Sequence, residues 1–379
     1  MKTFSFFKAP HSHLPFGADG SGYYSDNTKG CYFVIQEAIP LIQQAIESLS
    51  ITDPKSTFNI ADYGTADGGT SMPLISSCIQ TLRSKFGEDL PIHVIYEDQP
   101  TNDFKSLFLR VNGLIPGSDA LFEKFSNIYI TACGTSFYKQ CLPPLCVDLG
   151  FSATSMHWLS KKPCDITGGL HHTMIKDENE AKLFKEQAAK DWQTILVNRA
   201  KEIKPGGFLV LVQFTIDDDG QYLGHTKEIK NCMFTNMKEI WQEMMQEGRL
   251  NMEEYQRTTF INYYRTVAEY SAPFVNEDSP VRKAGLKLCS IETKVVRCPY
   301  NQRWREQGGD PQKHAEWFVP TTRTWSNHTF FSALSCNRSE EERREIVDDL
   351  FKRYSKRVAE APADHGMDYV HAYIVIRKE

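Results

Sequence analysis

A chain of 379 residues, 41% hydrophobic and 12% aromatic, carries enough apolar material for two domains or for one α/β domain with a large insertion. Its formal net charge of −5, without a long basic run, argues against nucleic acid or an anionic membrane as partner. No apolar run reaches bilayer length and residues 1–15 lack the apolar core of a secretory signal, so a soluble, cytoplasmic protein is expected. Ten scattered cysteines form no Cys-x-x-Cys pair, which points to reduced thiols and no metal site. Two matches to the glycosylation pattern, at Asn327 and Asn337, carry no weight without a secretory signal.

Residues 1–30 are rich in Gly, Ser, His and Tyr, lack periodicity, and read as an arm or lid. Ile35, Ile39, Ile42, Ile46 and Leu49 recur at helical spacing, predicting a helix that Pro40 bends. A β-favouring run at 58–61 stops at Asp62, and Gly64, Gly68 and Gly69 then lead into a helix at 71–86. Strands are expected at 92–96, ending on Glu97-Asp98, and at 127–131, 147–152 and 208–214, the last an unbroken apolar run preceded by a helix at 185–203. Strands alternating with helices predict a doubly wound, mostly parallel, Rossmann-like α/β sheet over 31–220. Beyond it, helices at 227–248 and 339–361 suggest a helical cap over the carboxyl edge, spanning 221–285 and 299–365. Alternating runs within 286–298 and 366–379 read as strands rejoining the sheet.

The glycine loop is a strand, a tight turn and a helix start, where backbone can approach a ligand and N–H groups are free. An adenosine-containing cofactor is its natural occupant. The dinucleotide fingerprint needs glycine where Ala66 stands, which disfavours a dehydrogenase, and the Gly-Lys-Ser/Thr of a triphosphate loop is absent. Asp-x-Gly-x-x-x-Gly with no cation to meet a phosphate suits S-adenosylmethionine. Asp98, at the end of the second strand, is placed to accept from both ribose hydroxyls, with Glu97 as competitor and a solvated acid as the plain alternative.

Four stretches together resemble the SABATH methyltransferases, the carboxyl and N-methyltransferases best known from plants. The run Asp62-Tyr63-Gly64-Thr65 through Ser71 is similar to the family's Asp-Leu-Gly-Cys-Ser-Ser-Gly-Pro-Asn-Thr, and Asn102-Asp103-Phe104 matches its Asn-Asp-Phe. Gly134-Thr135-Ser136-Phe137-Tyr138 and Ser155-Met156-His157-Trp158-Leu159-Ser160 resemble its Gly-Ser-Phe-Tyr and Ser-Leu-His-Trp-Leu-Ser segments, and Asp191 with Pro205-Gly206-Gly207 completes the set. Tyr23 to Thr28 is similar to an arm that folds over the cofactor in that family.

The resemblance implies a homodimer and assigns residues. Tyr24, Asn27, Thr28, Asp62, Gly64 and Thr65 would serve the methionine end of S-adenosylmethionine, Asp98 and Gln99 its ribose and adenine, Ser136 and Phe137 the adenine face, and Ser152 a further contact. On the acceptor side it implies His157 and Trp158 as catalytic donors, with Thr154, Met233, Phe234, Phe331 and Tyr369 as walls. Cys31 stands where the family often has a glutamine donor and Thr154 where salicylate enzymes have tyrosine, which argues for a wider or more polar pocket and against salicylate.

A carboxylate acceptor is ionised at neutral pH and needs no general base, and its attack on a sulfonium cancels charge, which a dry pocket favours. The indole N–H of Trp158 only donates, matching a grip on one carboxylate oxygen, although a core tryptophan is the bland alternative. N-methylation of a small amine or N-heterocycle, with His157 taking the proton, is the second reading; a non-catalytic binding protein is the third. His171-His172 lies in a Gly-rich stretch and reads as a solvated loop rather than a pocket or metal element.

Overall fold

The computed structural model describes residues 15–51, 55–117 and 120–379, so the part of the expected arm at 1–14 lies outside the described residues. These contain eight strands: β1 Phe58–Tyr63, β2 Ile92–Asp98, β3 Ile128–Gly134, β4 Val147–Ala153, β5 Ile203–Ile216, β6 Arg265–Thr266, β7 Leu286–Val296 and β8 Tyr369–Lys378. The sheet order is β3-β2-β1-β4-β5-β8-β7, with short β6 pairing parallel to β5. The strands from β3 to β5 run parallel, and β8 lies antiparallel between β5 and β7. Strand order reverses between β1 and β4, which opens a crevice at their carboxyl ends.

Neighbouring strand residues point to opposite faces. Ile60, Val94, Val210 and Val212 therefore join one apolar cluster, while Ala61, Ile95, Leu209 and Leu211 join another under helix Glu178–Glu202 through Trp192 and Leu196. The first cluster runs without a break into Met237, Trp241, Phe318 and Leu350 of the helices that follow β5 in the chain, so those helices and the sheet share a core.

Several elements differ from the sequence reading. The helix expected to bend at Pro40 is two helices, Lys29–Gln36 and Ile39–Ser48, because proline sits at the start of the second, where its missing N–H costs nothing. Helix Glu178–Glu202 starts earlier than expected, capped by Asp177 on the N–H groups of Asn179 and Glu180. The helix expected over 227–248 spans only Met233–Gln246. The cap's longest helix, Pro311–Ala333, was not anticipated, since Pro320 and a run of hydroxyl residues break its apolar pattern. Thr322, Thr324 and Ser326 are buried there and bond to the carbonyls of Val319, Thr321 and Thr322 at 2.8, 2.7 and 2.6 Å.

Candidate active site

The crevice floor begins at β1. Gly64 and Thr65 donate their N–H groups to the Glu97 carbonyl at 2.8 and 3.1 Å, tying the loop to the end of β2. Gly64 has φ +76°, and a Cβ there would lie 2.4 Å from that of Ser155, so the turn requires glycine. Beneath the loop, Asp62 accepts from Thr65 Oγ1 at 3.0 Å and Ser71 Oγ at 2.6 Å, while burial pushes its carboxyl up to about 6.

Asp98 and Glu97 part company at the end of β2. Asp98 faces the cleft, accepts the Ala66 and Gln99 N–H groups at 2.7 Å each, and is pushed up to about 6 by burial against those bonds. Glu97 turns inward to the Cys141 thiol at 3.6 Å and is held well above the carboxylate range by burial. Above them the loop after β3 is gripped by Arg199, which donates to the carbonyls of Phe137 and Lys139 at 3.0 and 2.7 Å and pairs with Glu202 at 2.8 Å, both side chains fully buried. The resulting cleft is walled by Tyr24, Gly64, Asp98, Gln99, Ser136 and Phe137, with Thr154 and Trp158 at its inner end.

Thr154, at the end of β4, adopts φ 57°, a left-handed conformation costly for a β-branched residue. It swings the chain into the Trp158 segment, which is held from several sides. The Gln213 amide oxygen accepts from the N–H groups of Ser155 and Met156 at 3.1 and 2.8 Å, Asp191 accepts from Ser160 N–H and Oγ at 2.8 and 2.7 Å, and Arg265 donates to the Met156 carbonyl at 3.0 Å. The Tyr138 hydroxyl donates to the Trp158 carbonyl.

Beyond Trp158 lies a second, smaller cavity, walled by Thr28 of the arm, Cys31 of helix Lys29–Gln36, His157, Phe214, Asn262, Tyr264, Trp325, Met367 and Tyr369. Tyr24, Thr154 and Trp158 line both cavities and so form the boundary between them. No Lys, Arg, Asp or Glu among the described residues lines the second cavity. Burial pushes the Cys31 thiol up to about 12, so it stays neutral, and lowers His371, which lies 3.4 Å from Thr154 Oγ1, to about 3.

Other expected site residues stand elsewhere. Thr65 and Ser152 are buried beneath the walls with Asp62; Ser152 Oγ lies 2.8 Å from Ser155 Oγ. Asn27 donates to the Tyr23 carbonyl at 2.8 Å within the arm. Met233, Phe234 and Phe331 do not wall the acceptor cavity. Phe234 stacks on His171 at 3.9 Å, Met233 packs behind Gly224, and Phe331 lies under the Arg343 guanidinium at 4.5 Å. At about 100° per helical residue, Phe331 sits on another face of helix Pro311–Ala333 from Trp325, which reaches the wall.

The His171-His172 stretch is buried, not solvated. His172 Nε2 accepts the Tyr264 N–H at 2.8 Å and fixes that wall, while His171 lies between Phe234 and Tyr264; burial pushes His171 well below its ordinary range and His172 down to about 3. Sequence reasoning also missed the clasp on the arm. Asp103 caps helix Phe104–Val111 and accepts the Gly20 N–H at 3.0 and 3.1 Å, Ser106 Oγ accepts the Gly22 N–H at 2.9 Å, and Arg110 bridges the Gly22 carbonyl at 2.5 Å and Asp67 at 3.2 Å. The Asp-x-x-Ser spacing at 103 and 106 was the available signal.

Residues 12–379 match the family model described as SAM dependent carboxyl methyltransferase. Methyltransferase FUS9 of Gibberella fujikuroi is 27% identical over 252 residues, 66% of this chain and 64% of that protein. Gibberellic acid methyltransferase 1 of Arabidopsis thaliana is 23% identical over 79% of this chain and 81% of its own. The chain spans a little under two thirds, 63% to 64%, of the length of FUS9 from two Gibberella species and of LUC1 from a Fusarium species. The solved structure of a loganic acid methyltransferase with SAH shares the fold, with a TM-score of 0.74 at 20% identity over 96% of this chain and 98% of its own.

Proposed function

The chain belongs to the family of S-adenosylmethionine-dependent carboxyl methyltransferases, and from that premise we propose that it converts the carboxylate of a small organic acid to its methyl ester. The observation that carries this reading is Trp158, the shared wall between a cleft with a carboxylate at its mouth and a buried cavity without charge.

The cleft residues fit the cofactor. Asp98 retains lone pairs for the ribose hydroxyls beyond its two backbone bonds, Phe137 offers a ring face for adenine, and no Lys or Arg among the described residues lines the cleft to call for a phosphate. S-adenosylmethionine, when bound, supplies an electrophilic methyl group on a sulfonium. Tyr24 and Gly64 line the cleft for the methionine end; Asp62, Thr65 and Ser152 hold its floor. Asn27 and Thr28 shape the arm, Thr28 Oγ1 donating to the Tyr24 carbonyl at 2.7 Å.

On the acceptor side Trp158 and His157 take the donor roles toward the carboxylate, and the cap excludes water. An ionised acid needs no base, and a neutral, low-dielectric wall raises its reactivity toward a cation. An amine acceptor would shed a proton, for which His157 rather than any Asp or Glu stands in the cavity wall among the described residues, whereas the ionised acid needs no such step. We also propose that the protein is cytoplasmic and, by the family resemblance, a homodimer; the described residues hold no helix long and apolar enough to cross a membrane.

The test is mass spectrometry of label transferred from methyl-labelled cofactor to a mixed panel of small acids and amines, followed by mild alkali. A labelled product that alkali destroys is the expected ester. A product that survives alkali overturns the carboxyl reading.

A further inference from the structure

Between Phe208 and Phe214 the β5 run is apolar except at Gln213. This side chain is fully buried and shares a face with Leu209 and Leu211, which belong to the cluster under helix Glu178–Glu202. An apolar residue would suit that face, since a buried amide is costly unless it is bonded. Its partners explain the exception. Backbone pairing of β4 with β5 ends at Ala153 and Val212, and after one more bond, from the Thr154 N–H to the Val212 carbonyl at 2.8 Å, the chain turns away through the left-handed Thr154. The N–H groups of Ser155 and Met156 are carried past the end of the ladder into a buried place, where unmet donors are costly.

Gln213 is the next residue of β5, and its side chain takes over where the backbone pairing stops. Oε1 accepts the Ser155 and Met156 N–H groups at 3.1 and 2.8 Å, while Nε2 donates to the Ser152 carbonyl and Oγ at 3.2 and 3.1 Å. One amide thus staples the chain after the turn to the strand before it. The staple reaches the reaction through Ser155, whose Oγ donates to the Tyr63 carbonyl at 3.3 Å, whose Cβ packs against Gly64 of the cofactor loop, and whose carbonyl accepts the Trp158 N–H at 3.2 Å. Asp191, Arg265 and Tyr138 hold the same segment from helix Glu178–Glu202, from β6 and from the loop after β3; Gln213 ties it to β4. Gln213 itself lines neither the cleft nor the cavity.

We propose that Gln213 is a positioning residue for methyl transfer, setting the spacing between the cofactor loop at Gly64 and Trp158 without touching either reactant. This rests on the carboxyl-methylation reading, in which Trp158 holds the acceptor carboxylate. Displacement at a methyl group needs the attacking oxygen in line, and a misplacement of about 1 Å can slow such a step about a hundredfold.

The experiment uses the full chain, methyl-labelled S-adenosylmethionine and, as acceptor, the member of a panel of small aromatic and aliphatic carboxylic acids that the wild type esterifies fastest. Gln213→Met keeps the length of the side chain and removes all four bonds. Well below its melting temperature it should slow single-turnover transfer about tenfold to a hundredfold, with cofactor Kd within about threefold of wild type. In the ligand-free protein, hydrogen exchange at the Ser155 and Met156 amides should rise at least about tenfold. Gln213→Glu keeps an oxygen for those two N–H groups in either protonation state and should restore most of the rate and of the protection. If the methionine variant does not fold, Gln213→Asn, whose amide falls one methylene short, takes its place.

A variant that exchanges faster or melts earlier yet transfers at the wild-type rate makes Gln213 merely structural and overturns the inference while ester formation stands. So does a loss of rate matched by an equal loss of cofactor affinity, or a glutamate variant as slow as the methionine one. If the wild type labels only amines, the carboxyl reading falls. The same comparison on the labelled amine then decides Gln213 alone: slowed transfer at unchanged cofactor Kd supports the positioning role, and an unchanged rate overturns it.

Discussion

The cofactor cleft and the acceptor cavity meet at Trp158 but are held by different means. On the cleft side polar contacts hold Asp98, by two backbone N–H groups, Asp62, by two hydroxyls, and the Phe137 and Lys139 carbonyls, by Arg199. On the acceptor side the wall is largely aromatic, and no Lys, Arg, Asp or Glu among the described residues lines it. A cleft for an invariant ligand can be fixed by polar contacts, whereas a cavity for a particular acceptor takes its shape from packed rings.

The contrast can be broken at its most rigid point. Arg199→Leu leaves Glu202 buried without its cation and frees the loop carbonyls, and should cost about 3–5 kcal/mol, read by chemical denaturation. A loss below about 1 kcal/mol would show that the network is not what holds the loop.

Asp98→Asn should weaken cofactor binding by roughly tenfold to a hundredfold, read by calorimetry, since bonds to a charged acceptor are worth about 1.5–3 kcal/mol. The same carboxyl sets a pH dependence. Burial raises Asp62 and Asp98 to about 6, so the folded protein prefers them protonated; the stability they give is full below their unfolded values and is lost as pH rises through about 6. Cofactor binding uses the ionised form of Asp98 and should run the other way, weakening as pH falls below about 6, and Asp98→Asn should flatten that slope.

Much of the cleft was legible because it is local. A strand, a glycine turn and a helix start place Gly64, and a pair of acids at a strand end places Asp98, with one choice left to the alternation of side chains, which sends Glu97 inward. The acceptor wall was not. Trp325 sits on a helix hidden by Pro320 and its hydroxyl run, and Asn262 and Tyr264 come from a loop whose position depends on pairing with the Trp158 segment and on His172 behind it. Phe331 and Trp325 are six positions apart in sequence, and helical rotation alone decides which one faces the acceptor.

Smaller effects sharpen the comparison. Asp103→Ala removes the cap that also grips Gly20, and should raise the cofactor Kd about fivefold and speed proteolysis near the arm, with acceptor KM less affected. Phe331→Leu should leave acceptor KM within about twofold, because a change outside the cavity touches only local packing and the contact with Arg343. A large shift in acceptor choice would return Phe331 to the wall.

The most direct test of the account is Trp158→Phe, which keeps an aromatic wall between the two cavities and removes the only donor on that side chain. Cofactor affinity and methyl transfer should be measured on the same preparation, the second in single turnover. The account predicts cofactor Kd within about threefold of wild type and ester formation slowed about a hundredfold, the size expected for losing a donor to the reacting oxygen. Transfer at the wild-type rate, or equal losses in binding and rate, would contradict a role for Trp158 in holding the acceptor carboxylate.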